Sequence, residues 1–344
     1  MSKTCLLALS YPELEALVIE MGSPRFVAKQ IWEWIYTKHV VDFDLMHTLK
    51  KDTRERLKAT CHVLPSEVAE RHAAGDKTAI KYVLKLGDGQ LIEMVVLFDK
   101  AHITLCISSQ SGCPVDCKFC LTGVVGFKRQ LTAHEITGQL LTALSEGHQI
   151  QNIVFMGMGE PLMNYDNVFA AIDQINSPDY FGIGKRHITV STSGYLAGIK
   201  RLIADKRFIN LAFSVGHANP EKRAKIMPIE TRNPIFEVSR LLHQYLKMHN
   251  RKLTLEYTLL ENTNEDPQAI AELIPLAKYL DAKINVINLN PHSKIPFSPV
   301  SEGAIKRIRA QIKEADVPVT IRFRRGQDIA AACGQLGESH LNKP

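Results

Sequence analysis

The chain has 344 residues, 45% hydrophobic and 23% charged, which excludes a low-complexity polymer and leaves room for one large domain and a small one. Its 42 lysines and arginines against 36 acids give a net charge of +6, a mild excess suited to a polyanionic partner. No apolar run reaches the ~18 residues of a membrane span and no signal-peptide pattern opens the chain, so no membrane partner and a cytoplasmic, reducing location are expected. In that setting seven cysteines, an odd count, favour metal binding or catalysis over structural disulfides.

The first elements are helical. Ser10-Tyr-Pro12-Glu13 is a capping box that starts a helix with Leu14, Leu17, Val18 and Met21 on one face, stopped by Gly22. Ser23-Pro24 starts a second helix, which carries both tryptophans, Trp32 and Trp34, and a third runs from Leu45 to Ala59. A helical N-terminal domain over 1–62 follows, with packing as its first role and nucleic-acid docking as its second. The period then changes. Strand-like runs at 79–86 and 90–98 flank Gly87-Asp88-Gly89, a hairpin turn, within a connector spanning 63–101. Glu93 interrupts the second run and is either on a solvent face or a buried acid.

From 102 to 323, strands and helices alternate. Strand candidates are 102–107, 151–156, 187–192, 210–215, 253–259, 283–289 and 317–323; helix candidates are 132–147, 164–176, 195–205, 234–250, 267–280 and 302–315. Apolar strands joined by helix-length connections predict an α/β fold with a parallel sheet and its site at the strands' C-terminal ends. A basic, glycine-containing tail over 324–344 is too polar to be core. Lys128-Arg129, Lys185-Arg186-His187 and Arg322-Phe323-Arg324-Arg325 are basic clusters, each readable as plain solvated surface.

The chemistry is concentrated in Cys113-Pro-Val-Asp-Cys117-Lys-Phe-Cys120, on a loop after the first of these strands. A structural zinc site requires four ligands, and no fourth completes a pair nearby. Three thiolates on a 4Fe–4S cluster leave one iron free, and C-x3-C-x2-C is the spacing of radical S-adenosylmethionine (SAM) enzymes, in which that iron binds SAM. The next strand ends in Phe155-Met-Gly157-Met-Gly159-Glu160-Pro161, where glycines allow close backbone approach to a ligand and Glu160 can accept from an ammonium group such as SAM's. Later strands end in Ser191-Thr-Ser-Gly194, Ser214-Val215-Gly216-His217 and Asn288-Leu-Asn290, polar groups suited to a ribose, carboxylate or adenine edge. Cys106 ends the first strand near the same rim, and Cys333 lies on a flexible Gly-flanked tail that can swing into a site, where its thiolate would be the reactive form.

The motifs Cys106 to Cys120, Phe155-Met-Gly-Met-Gly-Glu-Pro-Leu162, Val190-Ser-Thr-Ser-Gly194 and Ala331-Ala-Cys-Gly-Gln-Leu336 together resemble the RlmN/Cfr family of radical SAM RNA-adenine methyltransferases, along nearly the whole chain. The resemblance implies a partial (β/α)6 barrel, a 4Fe–4S cluster on Cys113, Cys117 and Cys120, and two SAM molecules per turnover. One SAM methylates Cys333. A radical derived from the second takes hydrogen from that methyl group, and the carbon radical adds to adenine. Glu93 would accept a proton, and Cys106 would attack the Cys333 sulfur to release product, leaving a transient disulfide. SAM contacts would fall to Gly159, Glu160, Ser191, Ser214 and Asn290, with backbone contacts from Val215 and Gly216. The implied partners are ribosomal or transfer RNA and an electron donor such as flavodoxin or ferredoxin, with the protein a monomer. Carbon 2 of adenosine is favoured over carbon 8 as the broader branch. Two departures suggest a divergent member: the family's Ser-Leu-His tip reads Ser214-Val215-Gly216-His217 here, and Asp328-Ile-Ala330-Ala331 replaces a motif with a second acid. Other readings are a radical SAM enzyme of another reaction class and a non-enzymatic Fe–S or RNA-binding module.

Overall fold

Ten strands form one sheet whose spatial order follows the chain without a break. In the computed structural model, which describes residues 3–99, 101–249, 251, 253–322 and 326–341, they are β1 (Ser66–Ala73), β2 (Ala79–Leu86), β3 (Leu91–Phe98), β4 (Ile103–Cys106), β5 (Asn152–Phe155), β6 (Ile188–Thr192), β7 (Asn210–Ser214), β8 (Thr254–Leu259), β9 (Lys283–Asn288) and β10 (Val319–Arg322). Pairings from β1 to β4 are antiparallel, and every pairing from β4 to β10 is parallel. Parallel neighbours need crossover connections. Six helices supply them: α5 (Ala133–Ser145), α6 (Tyr165–Asn176), α7 (Leu196–Ala204), α9 (Ile235–Lys247), α10 (Pro267–Tyr279) and α11 (Glu302–Glu314); the short α8 (Pro220–Ile226) precedes α9. This is the expected partial barrel of six β–α units, closed off by a seventh parallel strand.

The helices start where the sequence provides caps. Thr132 and Glu135 form a capping box for α5, and the side chains of Asp266 and Ser301 accept from Ala269 N and Ala304 N at the starts of α10 and α11. Their apolar faces pack on strands buried on both sides, giving a core that runs from Ile92 through Leu105, Phe155, Val190, Phe213 and Tyr257 to Val286.

The connector is more than a hairpin. β1 adds a third antiparallel strand, and all three continue the barrel sheet instead of standing apart from it. Ahead of it, α1 (Tyr11–Glu20), α2 (Phe26–Tyr36) and α3 (Lys51–Thr60) enclose a second core that includes Leu14, Ile31 and Leu57 and also takes in Leu141 of α5. The capping box at Ser10 forms as expected. The tail departs from expectation: Ala331, Ala332 and Leu336 are buried, so the segment docks on the barrel. Arg324 and Arg325 of the last basic cluster lie outside the described residues. Among the described residues, no helix is long and apolar enough to cross a membrane.

Candidate active site

The cysteine loop leaves β4 through Ser108, Ser109 and Gln110, all fully buried and bonded into the fold. Gln139 of α5 brackets Ser108, accepting from its N–H at 2.8 Å and donating to its carbonyl at 2.8 Å, and the Asn164 amide donates to the carbonyls of Ser109 and Leu131. Gly112 has φ +72°, and a Cβ there would stand 1.7 Å from the carbonyl oxygen of Gly126, so only glycine can begin the turn that presents Cys113. Further along, Cys120 N donates to Cys117 O, Lys118 N to Ile226 O, and the loop runs into the short helix α4 (Leu121–Val125).

Cys113, Cys117 and Cys120 line one cavity of about 160 Å³. Burial pushes all three thiols up, and each of Cys113 and Cys117 is pushed further by its neighbours, against an opposing effect of the Arg223 guanidinium on Cys117. Such crowded, half-buried thiols become thiolates readily around a strongly cationic centre, because metal coordination deprotonates a thiol outright. Among the described residues, no three His, Cys, Asp or Glu side chains close on a single metal ion. Three thiols on one cavity wall are the donor set that a 4Fe–4S cluster with one open iron would take.

The wall opposite the thiols comes from the strand tips. Gly159, Glu160, Ser191, Ser214 and Glu256 line the same cavity. Glu160 is buried, and burial raises its carboxyl above the usual range, while Ser193 works against the shift. Ser193 donates from both N (2.7 Å) and Oγ (2.6 Å) to Oε2, and Leu162 N donates to Oε1 at 3.2 Å. Thr192 also bonds the carboxylate, whose two oxygens have about four acceptor positions between them, one more than the donors from Ser193 and Leu162 fill before Thr192 is counted. The glycines before it line the cavity, as a close backbone approach to a ligand requires, and they serve packing as well. At Gly159, φ +105°, a Cβ would meet Gln110 Cβ at 2.6 Å, and at Gly157 it would meet Ile107 O at 2.6 Å. Their absent side chains let the Gly-Glu-Pro turn lie against the cysteine loop's entry, where Gln110 Oε1 accepts from Glu160 N.

Cys333 lines the cluster cavity and also a second one of about 390 Å³ that contains Cys106 and Asn290. Tail contacts hold it there: the Asn290 amide donates to Cys333 O at 3.1 Å, and Leu121 N donates to Gly334 O at 2.7 Å. Arg322 lines both cavities too. Burial, followed by the neighbouring Cys333, pushes the Cys106 thiol up to about 12, and the Arg322 guanidinium opposes that rise. All seven cysteines are free thiols, so the disulfide implied by family resemblance is not a feature of this structure.

Four expected site residues are placed differently: Val215, Gly216, Glu93 and Asn290, the last of which lines the Cys106 cavity and not the cluster cavity where a SAM contact was expected, its amide donating to Cys333 O. Val215 and Gly216 lie off the cluster cavity with backbone groups already engaged: Val215 N donates to Glu256 O, Val215 O accepts from Arg223 Nε, and Gly216 O accepts from the Asn264 amide. Glu93 is a buried acid, which resolves the alternatives left by its sequence, but it is on neither cavity wall. His217 is buried, with Nδ1 accepting from Asn219 N. Sequence reasoning missed Arg223, Arg322, Gln110 and Ser193. Arg223 is fully buried and ties Val215 O, Ser193 O and the Glu230 carboxylate together beneath the cluster loop.

A parallel partial barrel presenting a three-cysteine loop and a Gly-Glu turn at its strand tips defines a radical SAM enzyme, and the radical SAM superfamily model matches residues 107–274. The model of the ribosomal RNA large subunit methyltransferase N-terminal domain matches residues 4–63, which hold the helical core. The probable dual-specificity RNA methyltransferase RlmN of Akkermansia muciniphila is 39% identical over 333 residues, covering 94% of this chain and 92% of that protein. The dual-specificity RNA methyltransferase RlmN of Halorhodospira halophila is 40% identical over 338 residues, covering 96% and 92%. A crystal structure of a radical SAM methyltransferase from Sphaerobacter thermophilus superposes with a TM-score of 0.91 at 36% identity, covering 97% of this chain and 99% of that one. The chain belongs to the RlmN family and is a radical SAM methyltransferase; membership implies SAM and a 4Fe–4S cluster as its cofactors.

Proposed function

We propose that this enzyme methylates a ring carbon of adenosine, C2 in preference to C8, in ribosomal and transfer RNA, through a methyl group carried on Cys333. The observation that carries this reading is the position of Cys333 on the shared wall of two cavities. A thiol so placed can take a methyl group on the SAM side and present it on the side of Cys106. The ribosomal RNA named in the N-terminal family model and the dual-specificity RNA methyltransferases among the relatives support an RNA substrate.

In this reading Cys113, Cys117 and Cys120 hold the cluster, which with SAM on its free iron supplies the radical chemistry. Glu160 takes the SAM ammonium on its carboxylate, Ser191 and Ser214 face the rest of the molecule, and Asn290 keeps Cys333 in place through its carbonyl. Each turnover uses two SAM molecules, one for the Cys333 methyl group and one for the radical. Cys106 attacks the Cys333 sulfur, forming the S–S bond as the S–C bond to the base breaks with its electron pair leaving on the base, and a thiol reductant then reopens the disulfide. Glu93 is the proton acceptor. Electrons come from a flavodoxin- or ferredoxin-type donor, and the enzyme acts as a monomer.

The test is peptide mass spectrometry of Cys333 in protein purified from cells, wild type beside Cys106→Ala. The expected outcome is a methyl group on Cys333 in the wild type and RNA covalently trapped on it in the variant. An unmodified Cys333 in both, with SAM still cleaved, would assign the fold a different reaction.

A further inference from the structure

The carboxylate proposed as the proton acceptor, that of Glu93, is occupied by hydrogen-bond donors from the tail. Glu93 sits in β3, two residues before Val95, which is paired with Cys106. Val95 and Leu97 of the same strand line the cavity shared by Cys106 and Cys333, as does Leu336 of the tail, whereas Glu93 does not. Its carboxylate is engaged by the tail beyond Leu336. Gly337 N donates to Oε2 at 3.1 Å, and Ser339 donates to Oε1 from N at 3.1 Å and from Oγ at 2.7 Å. These are hydrogen bonds to a buried charged acceptor, the stronger class.

The surrounding contacts fit a seated segment rather than a chance one. Thr122 Oγ1 donates to Leu336 O at 2.7 Å, a ring nitrogen of His340 lies 2.5 Å from Leu91 O, and Glu338 stands 3.8 Å from both Lys81 Nζ and His292 Nε2. Gly337 has φ +115°, and a Cβ there would stand 2.9 Å from Val125 Cγ2, so the docked turn is built for glycine. At its other side Glu93 is fixed by its backbone, whose carbonyl accepts from Ser108 Oγ at 2.6 Å. The strand stays put, and the tail is the removable partner.

We infer that the 337–339 turn and the RNA substrate compete for Glu93. The docked tail is a resting state in which the donors of Gly337 and Ser339 occupy the acceptor positions of the carboxylate, and the RNA base reaches Glu93 only as this turn lifts away. Ser339 and Gly337 are positioning residues that set the balance. The inference rests on the role proposed for Glu93. When the binding-competent state is a minor one, apparent affinity is reduced by its fraction, so any change that weakens docking tightens RNA binding by the same factor. Loss of one hydrogen bond to a charged acceptor corresponds to roughly a tenfold change or more.

The test uses full-length, cluster-reconstituted protein and an in vitro transcript of large-subunit ribosomal RNA, which carries no modification. Hydrogen exchange of the 334–341 segment is followed with and without the transcript, for the wild type, Ser339→Ala and Gly337→Ala, alongside filter binding. The transcript is expected to speed exchange of this segment several-fold in the wild type. Both variants are expected to exchange faster without RNA and to bind the transcript roughly tenfold tighter. Bound transcript with unchanged or stronger protection of 334–341 overturns the inference, as does a variant with a loosened tail and unaltered affinity. Failure of all three proteins to bind overturns it together with the RNA reading. Tail release with no methyl group on Cys333 leaves the competition standing and sinks the methyl-carrier reading alone.

Discussion

The polar residues that organise this site are mostly buried, and burial decides what each can do. Arg223 is fully buried, and desolvation pushes its guanidinium down against the Glu230 carboxylate that holds it up. Arg223→Met leaves Glu230 buried without its cation and is expected to lower stability by about 3–5 kcal/mol, read from the midpoint of a urea transition. The double variant Arg223→Met with Glu230→Gln is expected to recover part of that loss. A double variant no better than the single one would mean that the bonds from Arg223 to Ser193 O and Val215 O matter more than the ion pair. Cys106 gives a chemical readout. With the thiol at about 12, its alkylation rate rises as pH rises from 9 toward 12, because only the thiolate reacts. Arg322 opposes the upward shift, so Arg322→Gln is expected to slow alkylation at any fixed pH in that window. Alkylation of Cys106 at equal rates in the two proteins would remove Arg322 from its electrostatic environment. Arg223 was not legible in the sequence, and Arg322 was legible only as part of a basic cluster with the composition of solvated surface. Arg223 stands in Glu221-Lys222-Arg223-Ala224-Lys225, which has the composition of a solvated helix, and only the return of Glu230 against the strand tips buries it.

Elements were legible where amphipathicity and capping agreed. The helices expected at 132–147, 267–280 and 302–315 form as Ala133–Ser145, Pro267–Tyr279 and Glu302–Glu314, each with a side-chain cap at its start. β1 was not legible, because Ser66-Glu-Val-Ala-Glu-Arg-His-Ala73 is an edge strand whose side chains are mostly exposed, so no apolar alternation marks it. The docked tail was missed for a related reason. Its few apolar residues, Ala331, Ala332 and Leu336, gain burial only from the barrel edge and α4, which local composition does not reveal. The glycine turn after β5 was legible as a site element from its pattern, but its second reason, close packing against the entry to the cysteine loop, depends on a contact distant in sequence. Because Gly159 combines φ +105° with a 2.6 Å approach to Gln110, Gly159→Ala is expected to cost about 2 kcal/mol and to shift Gln110, the acceptor for Glu160 N. Iron content after reconstitution and thermal midpoint should fall together. Full iron loading with a lowered midpoint would confine the effect to packing.

Across the whole molecule, the helical N-terminal unit and the barrel share residues at their boundary. Leu141 of α5 belongs to the N-terminal core, Trp32 Nε1 donates to Asp179 O at 2.7 Å, and Tyr36 packs edge-on against Tyr180 and Phe181. At Gly138 of α5 a Cβ would stand 2.6 Å from Pro65 Cγ and 2.8 Å from Pro65 Cδ, at the start of the connector, and 3.7 Å from Leu7 Cδ2 of the helical core. A shared core of this kind couples unfolding, so one cooperative transition is expected for the wild type. Both tryptophans lie in the N-terminal unit, so indole fluorescence reports that unit and its seam with the barrel, while far-ultraviolet circular dichroism reports the whole chain. The two probes should give coincident thermal transitions in the wild type. Gly138→Val forces Pro65 away from α5, and the fluorescence transition is then expected to fall several degrees below the dichroism transition. If the transitions stay coincident and both move down, the helical unit has no stability apart from the barrel. If neither moves, Pro65 yields without cost, and the coupling runs through Trp32 and Tyr36 instead.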